Sequence, residues 1–436
     1  MQPICVLDNL PEQWSTDETC FQSKLEFNPC NVESLPATLK HARKNEWPLD
    51  GRVARRPLVA SSSFSLNNRT PLARPFYVFL RSSVLSIRTF NDGYHCLRNR
   101  QISEMHCLAG DDAVRATNDD ASECKRCAVN LGYWQDKFIN FFIKAGERKA
   151  PEINRGYYAR CTAVSLLMEK FLLKAGAEQC QILNFGAGFD TLYWRLKSNG
   201  HIVKNFIELD FPNVTAKKCY AIKRNKTLLE QIHSEDGEVK FSPTDLHAAN
   251  YHLVGVDLRQ LSEVQKKLAD SEIDWNAPTL LLAECVLVYV EPEHIRSLLS
   301  FLSSKLPTAY FINYEQVNME DRFGQIMLSN LRARGCSLAG VEACRDLASQ
   351  QQRFLDTGWD GSKTWTMEEV WNALPREDRN RIEKIEFLDE NELLQQLFHH
   401  YCISVGWKDQ GPRLSLSELH LKRFDVATLA EVNACI

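Results

Sequence analysis

Long hydrophobic runs are missing from this chain of 436 residues. No stretch of 18 apolar residues occurs, so the sequence predicts no membrane-spanning helix. The N-terminus MQPICVLDNLPEQW has neither the basic segment nor the apolar core of a secretory signal. Glycine (19 residues) and proline (16 residues) are scarce, which excludes collagenous and low-complexity proteins.

An excess of one charge is missing as well. The chain has 52 Lys+Arg and 56 Asp+Glu, a net charge of −4, so no overall field attracts nucleic acid or an anionic membrane. The net charge nevertheless divides into +3 over residues 1–108 and −7 over the rest. Residues 51–100 contain nine arginines, no lysine and one acid, Asp92. We interpret residues 1–108 as a mostly disordered leader rich in Arg and Ser, 109–421 as a folded domain and 422–436 as a short tail.

Cysteine, in contrast, is abundant. The fifteen cysteines are scattered along a chain without a secretory signal, which predicts reduced thiols and a cytoplasmic protein. Cys124 and Cys127 form a C-x-x-C pair, but a zinc site needs four ligands and no second pair follows. We therefore expect no metal. The motifs G-x-S-x-G, H-E-x-x-H and G-x-x-x-x-G-K-[ST] are absent, so a hydrolase, a zincin or a P-loop enzyme has no support.

Short apolar runs alternate with amphipathic segments in the second half of the chain. The runs are QILNF, KNFIELD, YHLVGVDL, PTLLLAECVLVYV and AYFINYEQV, and SEVQKKLADSE and EPEHIRSLLSFLSSKL lie between them. Apolar strands separated by amphipathic helices predict an α/β fold with a mostly parallel sheet and helices on both faces. The segment 316–400 is predicted to be mainly helical, with a turn around Gly358 to Gly361.

Two helices are predicted before the first strand. Asp119 or Asp120 is expected to cap a helix that runs into ASECKRCAVNLGYW. The segment ARCTAVSLLMEKFLLKAG predicts a second helix, which Gly176 can close from a left-handed position. One stripe of this helix is apolar at helical spacing and consists of Val164, Met168, Phe171 and Leu172.

A glycine pair follows the first predicted strand. Gly186-Ala187-Gly188 lets the backbone turn tightly and approach a ligand without interference from a Cβ atom. A dinucleotide site would have a third glycine where Thr191 stands, which argues against a nicotinamide oxidoreductase. A nucleoside without phosphate, such as S-adenosylmethionine, fits the pattern, although a simple tight turn explains the glycines alone.

Acidic side chains end three further strands, where ligands bind in open parallel sheets. Asp210, 22 positions after Gly188, can accept hydrogen bonds from both ribose hydroxyls. Asp257 can accept from an adenine amino group, and Leu258 can pack on the adenine ring. Glu284 interrupts a strongly apolar run, so it must either pair internally or face a cationic group such as the sulfonium or ammonium of S-adenosylmethionine.

Several segments in one order carry a family resemblance. KAPEINRGYYAR, ILNFGAGFDTLYWRLK, IELDFP, LLAECVLVYV, FINYEQVNMEDRFGQIM, LAGVEACRDLASQ and EFLDENELLQQLFHHYC resemble the leucine carboxyl methyltransferase family over about 109–421. The resemblance implies the class I S-adenosylmethionine-dependent methyltransferase fold, with a seven-stranded sheet and one antiparallel strand near its edge. It also implies a helical lid over 109–176 and an inserted helical region over about 316–400.

The resemblance extends to a set of cofactor-binding residues. Carried over position by position, they are Lys125, Arg155, Gly186, Asp210, Asp257, Leu258 and Glu284. Three residues are candidates for positioning a substrate carboxylate: Lys125, Arg155 and Tyr289. Of these, Tyr289 is expected on the same strand as Glu284. Cys127 departs from the family pattern, where a larger apolar residue is expected.

The implied reaction is methylation of the C-terminal leucine α-carboxylate of the protein phosphatase type 2A catalytic subunit. S-adenosylmethionine would be the methyl donor, S-adenosylhomocysteine the second product and phosphatase assembly the regulated process. An α-carboxylate is ionised at neutral pH, so no general base is expected. We expect a monomer that recognises the phosphatase tail and a folded surface, without nucleic acid or membrane. A tRNA-modifying methyltransferase of the sister branch, whose C-terminal propeller would have no room after HHYC, and a non-catalytic phosphatase-binding protein are the alternatives.

Overall fold

The computed structural model describes residues 95–233, 238–411 and 414–421, with side chains from residue 110 onward. The predicted leader up to residue 94 and the predicted tail 422–436 lie outside the described residues, so the interpretation of both stays a prediction.

One mixed sheet organises the described part of the chain. Its strands are β1 (Gln181–Phe185), β2 (Asn205–Asp210), β3 (Lys240–Phe241), β4 (Leu246–His247), β5 (Tyr251–Gly255), β6 (Thr279–Glu284), β7 (Thr308–Gln316), β8 (Gly361–Thr366) and β9 (Tyr401–Asp409). Their spatial order is β3-β4-β5-β2-β1-β6-β7-β9-β8. The predicted strands are confirmed, but PTLLLAECVLVYV contains a strand only as far as Glu284. Tyr289 lies in the following 3-10 turn, Leu287–Tyr289, and the expectation that it shares the strand is wrong.

The direction of the strands matches the predicted fold class. Strands β5, β2, β1, β6 and β7 pair in parallel. Strand β9 is antiparallel to both β7 and β8, so the antiparallel strand lies one position from the edge. The two-residue strands β3 and β4 extend the opposite edge by antiparallel pairing. Seven strands thus form the main sheet of an α/β fold, as the family resemblance implies.

Helices cover both faces of this sheet. They are α1 (His95–Asn130), α2 (Pro151–Ala175), α3 (Leu192–Ser198), α4 (Pro212–Arg224), α5 (Lys226–Ile232), α6 (Leu261–Asp270), α7 (Pro292–Lys305), α8 (Arg322–Ala333), α9 (Leu347–Leu355), α10 (Met367–Ala373), α11 (Arg376–Glu383) and α12 (Asn391–His399). Within these residues, no helix is long and apolar enough to cross a bilayer.

The first helix is longer than its sequence signals predict. Helix α1 runs without interruption from His95, so Asp119 and Asp120 lie inside it and neither caps its N-terminus. Their carboxylates instead face Lys217 and Arg334, each at 3.8 Å. The expected boundary between leader and domain at residue 108 also falls within α1.

Helix α2 follows the prediction closely. The fixed φ of Pro151 suits the first turn of the helix. Gly176 ends the helix with φ 77° and donates its backbone N–H to the carbonyl of Leu172; its ψ of 113° lies outside the left-handed helical region. The predicted apolar stripe is buried, and it belongs to a helix whose other faces are also mostly buried. Helix α2 is therefore a central element of the core.

The core consists of one apolar cluster on each face of the sheet. Leu183, Phe185 and their neighbours pack against α6, α7 and Phe354 of α9. Ile182, Phe206 and the opposite side chains pack against α2, α4 and the segment between β7 and β9. Alternate residues of the central strands thus enter different layers, which explains why these strands are apolar throughout.

The inserted region between β7 and β9 is mainly helical, as predicted, but it also contains the edge strand β8. Gly358 adopts φ +85° in the turn before this strand. Gly361 is the first residue of β8, and glycine is required there because a Cβ atom would collide with the indole ring of Trp407 on β9. The prediction of a mainly helical region therefore holds, and strand β8 is an addition to it.

Polar contacts connect the inserted region to α2 and to the loop between α1 and α2. The buried carboxylate of Glu386 accepts from Tyr133 Oη (3.1 Å), Asn154 Nδ2 (2.8 Å) and Arg148 Nη2 (2.7 Å). Tyr158 of α2 donates to the buried carboxylate of Asp378. These bonds orient α2 from outside the sheet.

Two helix-capping aspartates provide a test of this packing. Asp346 caps α9 through Ser349 N, and Asp321 caps α8 through Gly324 N. Asp321 alone also contacts a fully buried side chain, His400, whose Nε2 lies 2.9 Å from both carboxylate oxygens. Asp346→Ala should lower the free energy of unfolding by about 1 kcal/mol, the usual value of a cap. Asp321→Ala should cost about 1–3 kcal/mol more, because a buried polar nitrogen loses its partner.

Urea unfolding monitored by circular dichroism measures both changes. Equal losses in the two variants would show that the buried histidine contact contributes nothing to stability.

Candidate functional site

The glycine loop after β1 has the geometry that its sequence predicts. Gly186 and Gly188 adopt φ +59° and +52°, a region that disfavours other residues. A Cβ atom on Gly186 would lie 2.5 Å from Val286, and one on Gly188 would collide with the side chain of Asn118. Both glycines line a cavity at the carboxyl edge of the sheet. The backbone is thus exposed to the cavity where a side chain would fill it.

Asp210 ends the neighbouring strand β2 and lines the same cavity. Its Oδ2 accepts from Gly188 N (2.7 Å) and its Oδ1 from Phe211 N (2.6 Å). Burial raises the pKa of Asp210 to about 6, although these backbone donors favour the ionised form. The remaining lone pairs of the carboxylate are available to hydroxyl donors of a ligand.

Asp257 and Leu258 line the cavity after β5, as predicted. The Asp257 carboxylate also binds the guanidinium of Arg259, with Nη2 to Oδ2 at 2.6 Å. Arg259 in turn contacts both oxygens of Asp111 on α1, at 3.1 and 2.7 Å. Asp257 therefore has a structural task besides any contact with a ligand, because it joins α1 to the sheet.

Glu284 at the end of β6 is the centre of a charged cluster. Its Oε2 lies 2.5 Å from Arg160 Nε on α2 and 3.4 Å from Lys125 Nζ on α1. Arg160 Nη2 also donates to the carbonyl of Glu284 at 3.2 Å. Burial acts to raise the pKa of Glu284, but the charges of Lys125 and Arg160 lower it below its usual range. The apolar strand tolerates this carboxylate because two cations reach it from the covering helices.

Asp190, in the segment GAGFDT, adds a second carboxylate to the cluster. Its Oδ1 accepts from Thr191 N at 2.7 Å, and Lys218 Nζ donates to its backbone carbonyl at 2.7 Å. Burial opposes ionisation, but Lys125, Arg195 and Lys218 together hold the pKa of Asp190 well below its usual range. The cavity thus contains ionised groups of both signs at neutral pH, close to one another.

Arg155 does not belong to this site, and its assignment from the sequence is corrected. Its side chain is buried outside the cavity, where Nη2 donates to the carbonyl of Glu386 at 2.9 Å. Arg160, five residues later in the same segment NRGYYAR, lines the cavity instead. On a helix, five residues correspond to a rotation of about 140°, so the two guanidinium groups face different neighbours.

The other predicted residues are brought together. Lys125, Gly186, Asp210, Asp257, Leu258, Glu284 and Tyr289 all line the cavity. The C-x-x-C pair is separate from it: Cys124 is buried, and Cys127 Sγ accepts from Lys149 N at 3.3 Å. Within the described residues, no cluster of three His, Cys, Asp or Glu side chains could hold a metal ion.

Sequence reasoning missed Asn118, Asp111, Asp190 and Arg160. Asn118 Oδ1 on α1 accepts from Phe189 N at 2.8 Å, which holds α1 across the glycine loop. Neither Asn118 nor Asp111 stands in a recognisable motif. Asp190 and Arg160 do stand in segments that carry the family resemblance. Their presence in the site could therefore have been predicted from the sequence, but their contacts could not.

Arg160 also lines a second, smaller cavity. This cavity is lined by aromatic and aliphatic side chains, namely Tyr157, Tyr314, Met367, Leu397, Phe398 and Tyr401. The Arg160 guanidinium lies 4.6 Å from the Tyr314 ring centroid and 5.5 Å from that of Tyr157. One buried cation therefore lines both cavities.

Comparison with known proteins adds names to this geometry. A family model described as "Leucine carboxyl methyltransferase" matches residues 113–303. "Leucine carboxyl methyltransferase 1" of Rattus norvegicus is 48% identical over 318 residues, which cover 72% of this chain and 95% of that protein. The human "tRNA wybutosine-synthesizing protein 4" is 39% identical over 309 residues, covering 70% of this chain and 45% of that protein.

Among solved structures, the chain resembles the plantazolicin methyltransferase BamL, solved with a triazolic desmethylPZN analog and SAH. The TM-score is 0.35 and the identity 9%, over 66% of this chain and 97% of that chain. A likeness at this level carries no argument about function.

Proposed function

This chain belongs to the leucine carboxyl methyltransferase family, and we propose that it methylates the α-carboxylate of a C-terminal leucine. The substrate that we propose is the catalytic subunit of protein phosphatase type 2A, whose assembly the modification would regulate. The proposal is supported chiefly by one observation: two cations, Lys125 and Arg160, converge in a single cavity on the carboxylate of Glu284. The family name and the identity of 48% to the rat relative support the leucine substrate.

The cavity fits S-adenosylmethionine, the methyl donor of the family. Gly186 and Gly188 expose backbone where any Cβ would intrude, and Asp210 presents a carboxylate suited to two ribose hydroxyls. Leu258 is placed to pack on the adenine ring. Lys125 would neutralise the carboxylate of the methionine part, while Glu284 would favour its positive charges. When bound, this molecule supplies a methyl group on a cationic sulfur, which a carboxylate oxygen can attack directly.

The task of the protein is then to position an anion and to exclude water. A leucine α-carboxylate has a pKa near 3.5 and is already ionised, so the chain need not remove a proton. Arg160 can hold such a group through two parallel N–H donors, and Lys125 through a single ammonium. Burial opposes the charge of Arg160, but Glu284 keeps the pKa of this guanidinium well above its usual range. The cation that receives the substrate therefore remains charged in a dry cavity, which strengthens its attraction for an anion.

The apolar side chains beside Arg160 would pack against the leucine side chain once they move apart, because the cavity between them has a volume of about 10 Å³, room for little more than one water molecule. The walls of this cavity, which include Met367, Leu397 and Phe398, offer no charge except the guanidinium itself. A residue that carries both a carboxylate and a branched apolar side chain matches this pairing of a cation with an apolar surface. A C-terminal leucine combines the two groups, whereas an internal leucine has no free carboxylate.

Methylation of tRNA is the second candidate function, because the human wybutosine-synthesizing relative is 39% identical. A non-catalytic phosphatase-binding role is less consistent with a cluster in which Lys125, Asp210 and Glu284 all face one cavity. Four points remain predictions: the cytoplasmic location, the monomeric state, the docking of a folded phosphatase surface, and the division of the chain at residues 108 and 421.

A methyl-transfer assay separates these functions. Labelled S-adenosylmethionine is incubated with the full chain and either the phosphatase catalytic subunit or unmodified tRNA. We expect label in the phosphatase that is released by mild base, as a methyl ester should be, and none after its terminal leucine is deleted. Label in tRNA, whether stable to base or not, or label in neither substrate, would overturn the proposal.

The two arginines of α2 give a matched pair of variants. Arg160→Met should lower kcat/KM about a hundredfold or more, because the cavity loses the cation that positions the carboxylate. Arg155→Met should lower the melting temperature, since the buried Glu386 carbonyl loses its donor. Its affinity for S-adenosylhomocysteine, measured by calorimetry, should remain within about threefold of wild type, because Arg155 does not line the cavity. Wild-type turnover of Arg160→Met would remove that residue from the site.

Asp210 predicts a pH dependence of binding. Its pKa of about 6 in the free protein means that the carboxylate is protonated below that pH and accepts hydroxyl donors poorly. Affinity for S-adenosylhomocysteine should be constant above pH 7 and fall by up to about tenfold per pH unit below pH 6. Asp210→Asn should bind more weakly at pH 8, without this fall between pH 7 and 5. If calorimetry gives the same pH slope for both proteins, another group is responsible.

A further inference from the structure

A short 3-10 turn, Leu287–Tyr289, forms one wall of the methyl-transfer cavity. Tyr289 and the flanking Val286 and Val290 line that cavity. Val286 also occupies the space beside Gly186, where a Cβ atom would lie only 2.5 Å from it. Any movement of this wall would therefore change the space available beside the glycine loop.

The wall is held from behind by two hydrogen bonds to one residue. The carbonyl of Val288 accepts from Gly340 N at 2.8 Å. The N–H of Val288 donates to Glu315 Oε2 at 2.9 Å. Gly340 can approach so closely only without a side chain, since a Cβ atom there would lie 2.9 Å from Val290 O and 3.0 Å from Leu287 O. The N–H of Val288 thus depends on a single carboxylate.

That carboxylate has one charged partner among the residues that the structure describes. Glu315 is fully buried. Arg353 on α9 has a largely buried side chain, and its Nη1 lies 3.7 Å from Glu315 Oε2. The other titratable groups that face it are the thiols of Cys285, Cys344 and Cys402. Burial raises the pKa of each of these thiols, that of Cys285 to about 11, so they are neutral near pH 7.

We propose that Glu315 and Arg353 are positioning residues, which set the wall Leu287–Tyr289 for methyl transfer without touching either substrate. The inference rests on the proposed function for the reaction that it serves. It also gives a role to the segment FINYEQVN, which contains Glu315, and to LAGVEACRDLASQ, which contains Gly340 and begins the helix of Arg353. Tyr314 of the first segment lines the smaller cavity, and the second segment has no other assigned part in the site.

The pair is sensitive to pH in a definite direction. Burial raises the pKa of Glu315 to about 7, and the charge of Arg353 limits that rise. As pH falls below 7, the carboxyl becomes neutral, Val288 N–H loses a charged acceptor and Arg353 loses its counter-charge. The wall should therefore be held best above pH 7.

The test is the pH profile of kcat/KM between pH 5.5 and 9 for wild type and two variants. Glu315→Gln should remove the contribution of Glu315 to the inflection near pH 7, leaving those of Glu208 and Asp210, and lower kcat/KM at pH 8 about tenfold, because a charge-assisted hydrogen bond is lost. Arg353→Met should instead move that inflection upward by about one pH unit or more, because the buried carboxylate loses its stabilising charge. Arg296→Met, which removes an exposed arginine lining the same surface cavity as Arg353, should leave the profile unchanged.

Asp210 and Glu208, whose pKa values burial raises to about 6 and about 7, titrate in the same range. The role of Glu315 and Arg353 is therefore tested by which inflection of the kcat/KM profile moves. The pH of an inflection does not depend on how much of a variant is folded. An unchanged inflection in both variants would overturn the proposal and would assign the pair to stability alone. If wild type fails to methylate the phosphatase, the proposed function fails. The pH profile of S-adenosylhomocysteine affinity of Glu315→Gln and Arg353→Met, compared with that of wild type, then tests the wall, because Asp210 is unchanged in all three proteins; three identical profiles would overturn the proposal.

Discussion

The meeting of Glu284 with Lys125 and Arg160 is the contact on which the rest of the site depends. It joins the end of β6 to α1 and α2, the two helices that precede the sheet. A carboxylate at the end of an apolar strand is costly without partners, and two buried cations would be equally costly without it. Each element therefore supplies the charge that the others require, and the cavity forms where they meet.

The remaining contacts keep that meeting in place. Asn118 binds α1 to the glycine loop, and the bridge of Asp111, Arg259 and Asp257 binds it to the end of β5. The inserted region orients α2 through the buried carboxylates of Glu386 and Asp378. Helices α1 and α2 thus close a single cavity through polar bonds rather than through apolar packing alone. This design suits an enzyme that must hold ionic substrates away from water.

Much of the fold could be predicted because its strands are short, apolar and separated by amphipathic helices. The glycine loop and Asp210 could be predicted for a similar reason, since parallel strands end at one edge of the sheet and place their last residues together. The start of α1 could not be predicted, because Asp119 and Asp120 have the chemistry of a cap in a sequence that continues as helix. Strand β8 was missed because it is a single edge strand within a region of helices.

The choice between Arg155 and Arg160 shows where sequence reasoning stops. Both stand in one family segment, and α2 is buried on almost all sides, so hydrophobic periodicity gives no face that points to the cavity. The sequence by itself determined the fold class, the glycine loop and the need of Glu284 for a cationic partner, because these follow from local pattern and from the cost of burying charge. Only the tertiary structure decided which arginine pairs with Glu284 and which carboxylate binds the wall Leu287–Tyr289. Both contacts depend on helices and strands that come together only after the chain has folded.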